Sequence, residues 1–377
     1  MKSKIWLSPP HMGGLEDRYI KEAFSTNWIA PLGPNVNGFE NDIALYLGNH
    51  SHVAALISGT AALHIGLILL SVNSGDEVIC QTMTFSATAN AISYVNAVPV
   101  FVDSESDTWN MCPELLEKTI IERRQLGKKI GAILPVHLYG MPAKINEIVE
   151  IGKKYGIPVL EDAAESLGSA VYGKQCGTFG DISVLSFNGN KIITTSGGGA
   201  LVSSNEQYVN DARFLASQAR DEAPHYQHSH IGYNYRLSNL CAGVGRGQME
   251  VLELRIKQKR DIYDYYFEKL HSISGISFLA EPEGYFCNRW LTTILVEPEV
   301  AGFTREDLRI GLEADNIESR PLWKPMHLQP IFQNSPAYLN GTSNRLFEKG
   351  LCLPSGTGMS HADIDRVCDV VFGLSRK

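Results

Sequence analysis

One lysine stands in a setting unlike the others. Lys191 closes the run Ser186-Phe187-Asn188-Gly189-Asn190-Lys191, a polar, glycine-flanked turn after an apolar segment, and the chain then passes to the triplet Gly197-Gly198-Gly199. A lysine enclosed in a pocket can form a Schiff base with a carbonyl compound, although most lysines in turns are simply solvated. Upstream, Ile57-Ser58-Gly59-Thr60-Ala61-Ala62-Leu63 leads a strand into a helix. Glycine there lets backbone approach a ligand closely, and the free N–H groups and dipole of a helix N-terminus attract an anion, most naturally phosphate. The same residues also describe an ordinary strand–turn–helix with a Ser/Thr cap; they match neither GxGxxG nor a P-loop. Val159-Leu160-Glu161-Asp162-Ala163-Ala164-Glu165 ends an apolar strand with carboxylates. Acids at the C-terminal ends of parallel strands lie where α/β enzymes bind ligands, so one of them can pair with a buried cation; equally, Asp162 and Glu165 are spaced as in a capping box. A fourth run, Gly232-Tyr233-Asn234-Tyr235-Arg236-Leu237-Ser238, reads by itself as an aromatic loop with Ser238 capping the helix that follows.

The elements that must position these residues are legible as alternating patterns. Short apolar runs at 52–58, 77–81, 98–103, 130–136, 159–162 and 182–187 read as buried parallel strands. Helical patterns at 60–72, 86–96, 113–124 and 145–155 lie between them, after two more at 15–25 and 36–47. Strand–helix alternation over this length predicts a parallel sheet covered on both faces. A helix at 206–218 is followed by one long helix over 238–270, expected to connect a large domain (1–240) to a small α+β domain (241–377) with a strand at 289–296 and helices at 305–315 and 361–374. The Pro-, Gly- and Asn-containing stretch 334–344 is expected to be a mobile surface loop. Gly243, Gly245 and Gly247 fall inside the helical stretch and signal close helix packing. His225, His228 and His230 lie in a polar loop without nearby Cys or paired carboxylates and read as solvated, so no metal is expected.

Composition bounds the classes. The chain has 377 residues, 44% of them hydrophobic, with 33 Lys+Arg against 41 Asp+Glu and a net charge of −8. That apolar content excludes disorder as the main state, and the acidic balance argues against nonspecific nucleic-acid binding. The seven cysteines are scattered, odd in number and never spaced as CxxC, which suits reduced thiols in the cytoplasm. No apolar signal core opens the sequence and no membrane span is expected.

Taken together and in this order, the signals resemble the fold-type I pyridoxal-phosphate enzymes and, within them, the DegT/DnrJ/EryC1/StrS sugar aminotransferases. Asp162 precedes Lys191 by 29 residues, Ser186 precedes it by five, and an aromatic, Phe85, follows the second strand. The resemblance covers nearly the whole chain and implies an α/β fold with a large pyridoxal-phosphate-binding domain, its mostly parallel sheet lying between helices, plus a smaller C-terminal α+β domain. It implies that Lys191 forms the Schiff base with pyridoxal 5'-phosphate and moves the proton during amine transfer. Asp162 would pair with the pyridine nitrogen, Phe85 stack on the ring, and Gly59, Thr60 and Ser186 hold the phosphate. Glu165 would stand near the ring oxygen. Asn234 would reach the cofactor of the other subunit, making a homodimer with shared active sites. Asn27, Trp28, Ile29 and Ala30 resemble the loop that approaches the sugar, and Arg320 and His327 resemble residues at the mouth of the pocket.

Leu7-Ser-Pro-Pro-His-Met-Gly-Gly14, Asn188-Gly-Asn-Lys191, Arg320-Pro-Leu-Trp-Lys-Pro-Met-His327 and Leu353-Pro-Ser-Gly356 are similar to the branch that serves UDP-N-acetylbacillosamine. Many other members carry His, Ala or Pro where this chain has Asn188 and Gly189, which makes Asn188 a candidate substrate residue. The branch implies a UDP-4-keto-6-deoxy-N-acetylglucosamine acceptor with L-glutamate as amine donor and 2-oxoglutarate as its product. The alternatives are the same chemistry on a GDP- or dTDP-sugar and a non-catalytic regulatory relative. Sugar 3-dehydratases of the family carry His where this chain has Lys191.

Overall fold

The computed structural model describes residues 2–48 and 50–375. Two helices, α1 (Glu16–Ser25) and α2 (Pro34–Leu47), precede the first strand, β1 (His52–Leu56). Then β1 alternates with α3 (Gly59–Leu69), β2 (Glu77–Gln81), α4 (Ser86–Tyr94), β3 (Val98–Val102), α5 (Pro113–Gln125), β4 (Ile130–Leu134), α6 (Ile145–Tyr155) and β5 (Leu160–Asp162). Each strand is a short apolar run with no polar face because helices cover both sides of the sheet. On one side Ile65, Leu67 and Ile92 pack against the strands; on the other, Phe39 meets Phe187 edge to face at 5.0 Å. Helix α6 stops where Gly156 takes up a left-handed conformation, φ 62°, which glycine adopts without steric cost.

Across the sheet the order is β1, Gly199–Ser203, Ile182–Ser186, β5, β4, β2, β3 and finally Ala337–Tyr338, with β4 and β5 joined by the parallel bridges Ile133–Val159 and Val136–Asp162. The six strands expected from the sequence all run parallel. Gly199–Ser203 was not expected as a strand; it is antiparallel to both β1 and Ile182–Ser186, so the glycine triplet is its entry rather than a free turn.

A second body is built on the antiparallel strands Ile276–Phe278, Thr292–Val296, Gly350–Leu353 and Arg320–Pro321. Its core takes Ile262, Tyr266 and Leu270 from one helix, Ile364 and Val367 from the closing helix His361–Ser375, and Ile5 from the N-terminal segment.

Two expectations are corrected. The stretch 238–270 is two helices, α8 (Asn239–Met249) and α9 (Leu252–Leu270), separated at Val251 (φ −114°, ψ 7°). Packing makes the break. Helix α8 lies so close to α1 and α2 that a Cβ on Gly247 would sit 2.6 Å from the Glu16 amide and one on Gly245 2.7 Å from the Phe39 ring. Helix α9 must then turn to run from the first body, where it buries Leu252 and Ile256, into the second. The interval 334–344 is not a loose loop either. Ala337–Tyr338 adds a parallel strand beside β3, and the fully buried Asp103 then accepts the N–H groups of Asn340 (2.9 Å), Gly341 (2.9 Å) and Ser343 (3.0 Å). Among the described residues no helix is long and apolar enough to cross a membrane.

Asp103 thus pins the returning chain to the large sheet. Asp103→Ala leaves three of its N–H groups without that acceptor and should destabilise the protein by about 3 kcal/mol; urea unfolding of the variant beside the wild type measures it, and a difference under about 0.5 kcal/mol would show that the pin does not hold the segment.

Candidate active site

A cleft of about 750 Å³ opens at the C-terminal ends of the parallel strands, walled on its far side by the second body. The β1–α3 turn gives it Ser58, Gly59 and Thr60; the segment after β2 gives Thr84, Phe85 and Thr88; the end of β5 gives Asp162 and Glu165; and the turn after Ile182–Ser186 gives Ser186, Asn188 and Lys191. Trp290, Arg320, Trp323 and Cys352 face them from the second body, and Trp6 to Pro10 close one side. Nine residues singled out in the sequence therefore converge: Gly59, Thr60, Phe85, Asp162, Glu165, Ser186, Asn188, Lys191 and Arg320.

Lys191 is held on two sides. Its Nζ is 3.1 Å from Glu165 Oε1 and lies over the Trp290 ring, 4.3 Å from the centroid. Asp162 emerges from β5 with its carboxyl buried; Thr88 Oγ1 donates to Oδ2 at 2.8 Å and the Ala164 N–H to Oδ1 at 3.2 Å. Burial raises its pKa above the ordinary carboxyl value, and the Thr88 and Ala164 hydrogen bonds and the Lys191 charge only partly offset this. No helix starts at Asp162, which disposes of the capping-box reading. Burial also drives the Glu165 carboxyl up to about 7, against the pull of Lys191 and of the Tyr139 N–H, which donates to Oε2 at 2.8 Å.

The corner at the start of α3 is made by close backbone approach. Ser58 Oγ accepts the Ala61 N–H and caps α3, so the cap and the open N-terminus coexist. A Cβ on Gly59 would meet the Ser186 Cβ at 3.1 Å, and one on Gly199 would overlap the Ser58 carbonyl carbon and the Gly59 amide. Glycine at both positions lets the Ser186 hydroxyl stand beside the start of α3.

Three groups of expected residues lie elsewhere. His327 does not line the cleft, contrary to expectation, because both its ring nitrogens are engaged: Nδ1 with Thr82 Oγ1 at 2.7 Å and Nε2 with Asn344 Oδ1 at 2.9 Å. It ties the second body to β2. Asn27, Trp28, Ile29 and Ala30 follow α1, their backbone held by Asn239 through the Trp28 and Ala30 carbonyls, and they do not reach the cleft of their own chain. Asn234 is exposed, also outside it.

Sequence reasoning missed Thr88, Tyr139, Trp290 and Trp323. Tyr139 is the unusual one: 2% exposed, with a left-handed backbone (φ 55°, ψ 20°), it turns its N–H to Glu165 and accepts the Trp323 N–H on its hydroxyl at 2.9 Å. Thr88, Tyr139 and Trp290 lie outside the motif runs, and Trp323, though inside the Arg320 to His327 run, carries no spacing that links it to Lys191. Phe85 and Trp323, with centroids 5.5 Å apart, frame the entrance.

His137, Glu161 and Cys176 also come together in the core. The Ala143 N–H donates to His137 Nδ1 at 2.9 Å, so the ring is the neutral tautomer whose Nε2–H donates to Glu161 Oε1 at 2.8 Å. Against the upward push of burial, the hydrogen bonds from His137 and from the Gly177 and Gly180 N–H groups hold Glu161 below the ordinary carboxyl range. With both imidazole nitrogens taken, this cluster is a structural knot behind Asp162.

A flat, phosphate-bearing carbonyl compound with a basic ring nitrogen fits the cleft: an amine for the carbonyl, a buried carboxyl for the nitrogen, and a glycine-lined helix start for the phosphate. Pyridoxal phosphate has these three features.

Residues 10–372 match the model of the DegT/DnrJ/EryC1/StrS aminotransferase family. Over 378 residues the chain is 52% identical to the "Putative pyridoxal phosphate-dependent aminotransferase EpsN" of Bacillus subtilis (strain 168), covering 99% of this chain and 96% of that one. It is 36% identical over 363 residues to the GDP-perosamine synthase of Escherichia coli O157:H7, covering 96% of each. Among solved structures, a DegT DnrJ EryC1 StrS aminotransferase from Brucella abortus superposes with a TM-score of 0.89 at 30% identity, over 96% of this chain and 95% of that one.

The Glu165 shift carries a stability consequence. Its carboxyl titrates near 4.5 in the unfolded chain and near 7 in the fold, so the native state binds the proton more tightly. The resulting stabilisation is complete below about pH 4.5 and is lost as pH rises to 7, amounting to about 3 kcal/mol. Urea unfolding of cofactor-free protein between pH 5 and 8 should show that decline in the wild type and not in Glu165→Gln; parallel profiles would refute the shift.

Proposed function

Because the chain belongs to the DegT/DnrJ/EryC1/StrS aminotransferase family, we propose that its cleft moves the amino group of L-glutamate to C4 of a nucleotide-linked 4-keto-6-deoxy sugar. It is a pyridoxal-phosphate-dependent aminotransferase; when bound, that cofactor supplies the carbonyl that carries the amino group and the ring that accepts electrons from the breaking C–H bond. The observation that carries the reading is Lys191 Nζ, 3.1 Å from Glu165 and in one cleft with the buried Asp162.

Lys191 would hold the cofactor through its carbonyl, and its Nζ would take up and return the proton that amine transfer moves. Glu165, with a pKa near 7, exchanges a proton with that Nζ across 3.1 Å. Asp162 holds the proton on the ring nitrogen. A cationic nitrogen there restores the carboxylate that burial disfavours. The Gly59 and Thr60 N–H groups and the Ser186 hydroxyl bind the phosphate, and Phe85 covers the ring. Asn188 and Arg320 meet the sugar nucleotide at the mouth, where Arg320 is paired with Glu318 at 2.9 Å. Asn234 and residues Asn27 to Ala30, exposed or away from their own cleft, complete the site of a second subunit in a homodimer. The seven free thiols suit a cytoplasmic setting.

For the nucleotide, the first reading is a UDP-4-keto-6-deoxy-N-acetylglucosamine acceptor in bacillosamine-type glycan synthesis, supported by Asn188-Gly189 and the Leu7 to Gly14 segment. The second is a GDP-linked acceptor, supported by the similarity to GDP-perosamine synthase. Mass spectrometry of products from UDP-, GDP- and dTDP-4-keto-6-deoxy sugars with glutamate decides. A 4-amino sugar formed together with 2-oxoglutarate is expected, fastest with UDP. Faster turnover of the GDP sugar moves the assignment to the second reading, and no amine transfer to any of the three sinks the proposal.

A further inference from the structure

Lys259, on α9, is 2% exposed. Its Nζ donates to Ser8 Oγ at 2.9 Å and to the Trp290 carbonyl at 3.0 Å, and among the described residues no carboxylate pairs with it. Burial alone brings its pKa down to about 7. An ammonium stripped of water without an anion beside it is a costly arrangement, and packing alone would be better served by an apolar side chain.

Both arms of Lys259 lead to the same atom. Ser8 Oγ, which accepts from Lys259, donates to the Asn190 carbonyl at 3.2 Å, and Trp290, whose carbonyl accepts from Lys259, donates Nε1–H to that carbonyl at 2.7 Å. Asn190 directly precedes Lys191, and the Trp290 ring is the face on which the Lys191 amine rests. One hub on α9 thereby joins the N-terminal segment, the second body and the turn bearing the reactive lysine. Resting on the reading of Lys191 as the reactive amine, we propose that Lys259 is a positioning residue for it: through Ser8 and Trp290 it fixes the Asn190 carbonyl and the indole face against which the Lys191 amine is held. A misplacement of this kind by a fraction of an ångström lowers turnover without weakening ground-state binding.

The test uses the holoenzyme of Lys259→Met, which keeps the length of the side chain and removes the donor, of Trp290→Phe, which removes the Nε1–H, and of the double variant. Lys259→Met should lower kcat about 10-fold and leave KM for glutamate within about twofold. It should also move the pH midpoint of the cofactor's visible band by at least about half a unit. The charged groups bearing on that midpoint are Glu165 and Asp162 around Lys191, with Arg255 of the same helix and His11 of the N-terminal segment lining the small cavity that Lys259 and Lys191 share. The melting temperature of the cofactor-free protein should not fall, which separates positioning from mere adhesion. The double variant should lose about what the worse single variant loses, since both act through one carbonyl. Wild-type kcat and band midpoint in Lys259→Met, or a double loss equal to the product of the single losses, overturns the proposal. If Lys259→Met does not fold, Ser8→Ala takes its place: a shifted band midpoint supports the proposal, and an unchanged one overturns it. A visible band retained by Lys191→Ala overturns the assignment of Lys191 and this proposal with it. A band lost in Lys191→Ala but identical in Lys259→Met and wild type overturns this proposal alone.

Discussion

Lys191 Nζ stands 3.1 Å from the Glu165 carboxylate with both side chains largely shielded from solvent, and this buried amine–carboxylate contact sets conditions that the surrounding elements have to meet. Withdrawing charges from water disfavours them strongly unless partners are close. Here the partners come from separate parts of the chain. Tyr139 gives its N–H to Glu165 from a left-handed backbone, Thr88 gives its hydroxyl to Asp162, and Trp290 offers an aromatic face to Lys191. The two bodies of the fold must stay in register for these contacts to persist. That register is maintained by Asp103 gripping the segment after Tyr338 and by His327 bridging Thr82 and Asn344.

Charge is handled locally in a chain whose overall balance is −8. The anion proposed for the start of α3 would meet backbone N–H groups there, beside a glycine at 199 where a Cβ would overlap backbone and one at 59 where it would press on Ser186. Directly behind, Glu161 keeps its charge through neutral donors and the neutral His137. Neighbours in sequence, Glu161 and Asp162 face opposite sides of one strand and so have opposite fates: one saturated with hydrogen bonds and depressed, the other under-supplied and raised, open to a cationic ring nitrogen.

What could be read from the sequence follows from how each feature is encoded. The six parallel strands were visible because burial on both faces leaves unbroken apolar runs. Lys191, Asp162, Gly59 and Ser186 were visible because they occupy the ends of those strands at fixed intervals. The strand Gly199–Ser203 was not, since its glycine entry looks like a turn and five residues give no period. The break between α8 and α9 was hidden because nothing local stops a helix at Glu250; the close approach of α8 to α1 imposes it. The anchoring of 334–344 rests on backbone N–H groups reaching Asp103 from more than 230 positions away, and backbone donors leave no mark in a sequence. For His327 the motif indicated the mouth of the cleft, while the fold uses both ring nitrogens as a strut. Lys259 was hidden for the same reason as Tyr139 and Trp290: each reaches the surroundings of Lys191 through contacts across the fold, with no spacing to betray it.

At issue in the cleft is whether Lys191, and no other lysine, engages the cofactor. Borohydride reduction of the holoenzyme followed by peptide mapping by mass spectrometry tests it directly. A phosphopyridoxyl group is expected on the peptide containing Asn190-Lys191-Ile192 and on no other. Its appearance on Lys259 or any other lysine, or a reduced holoenzyme with no modified lysine, would contradict it.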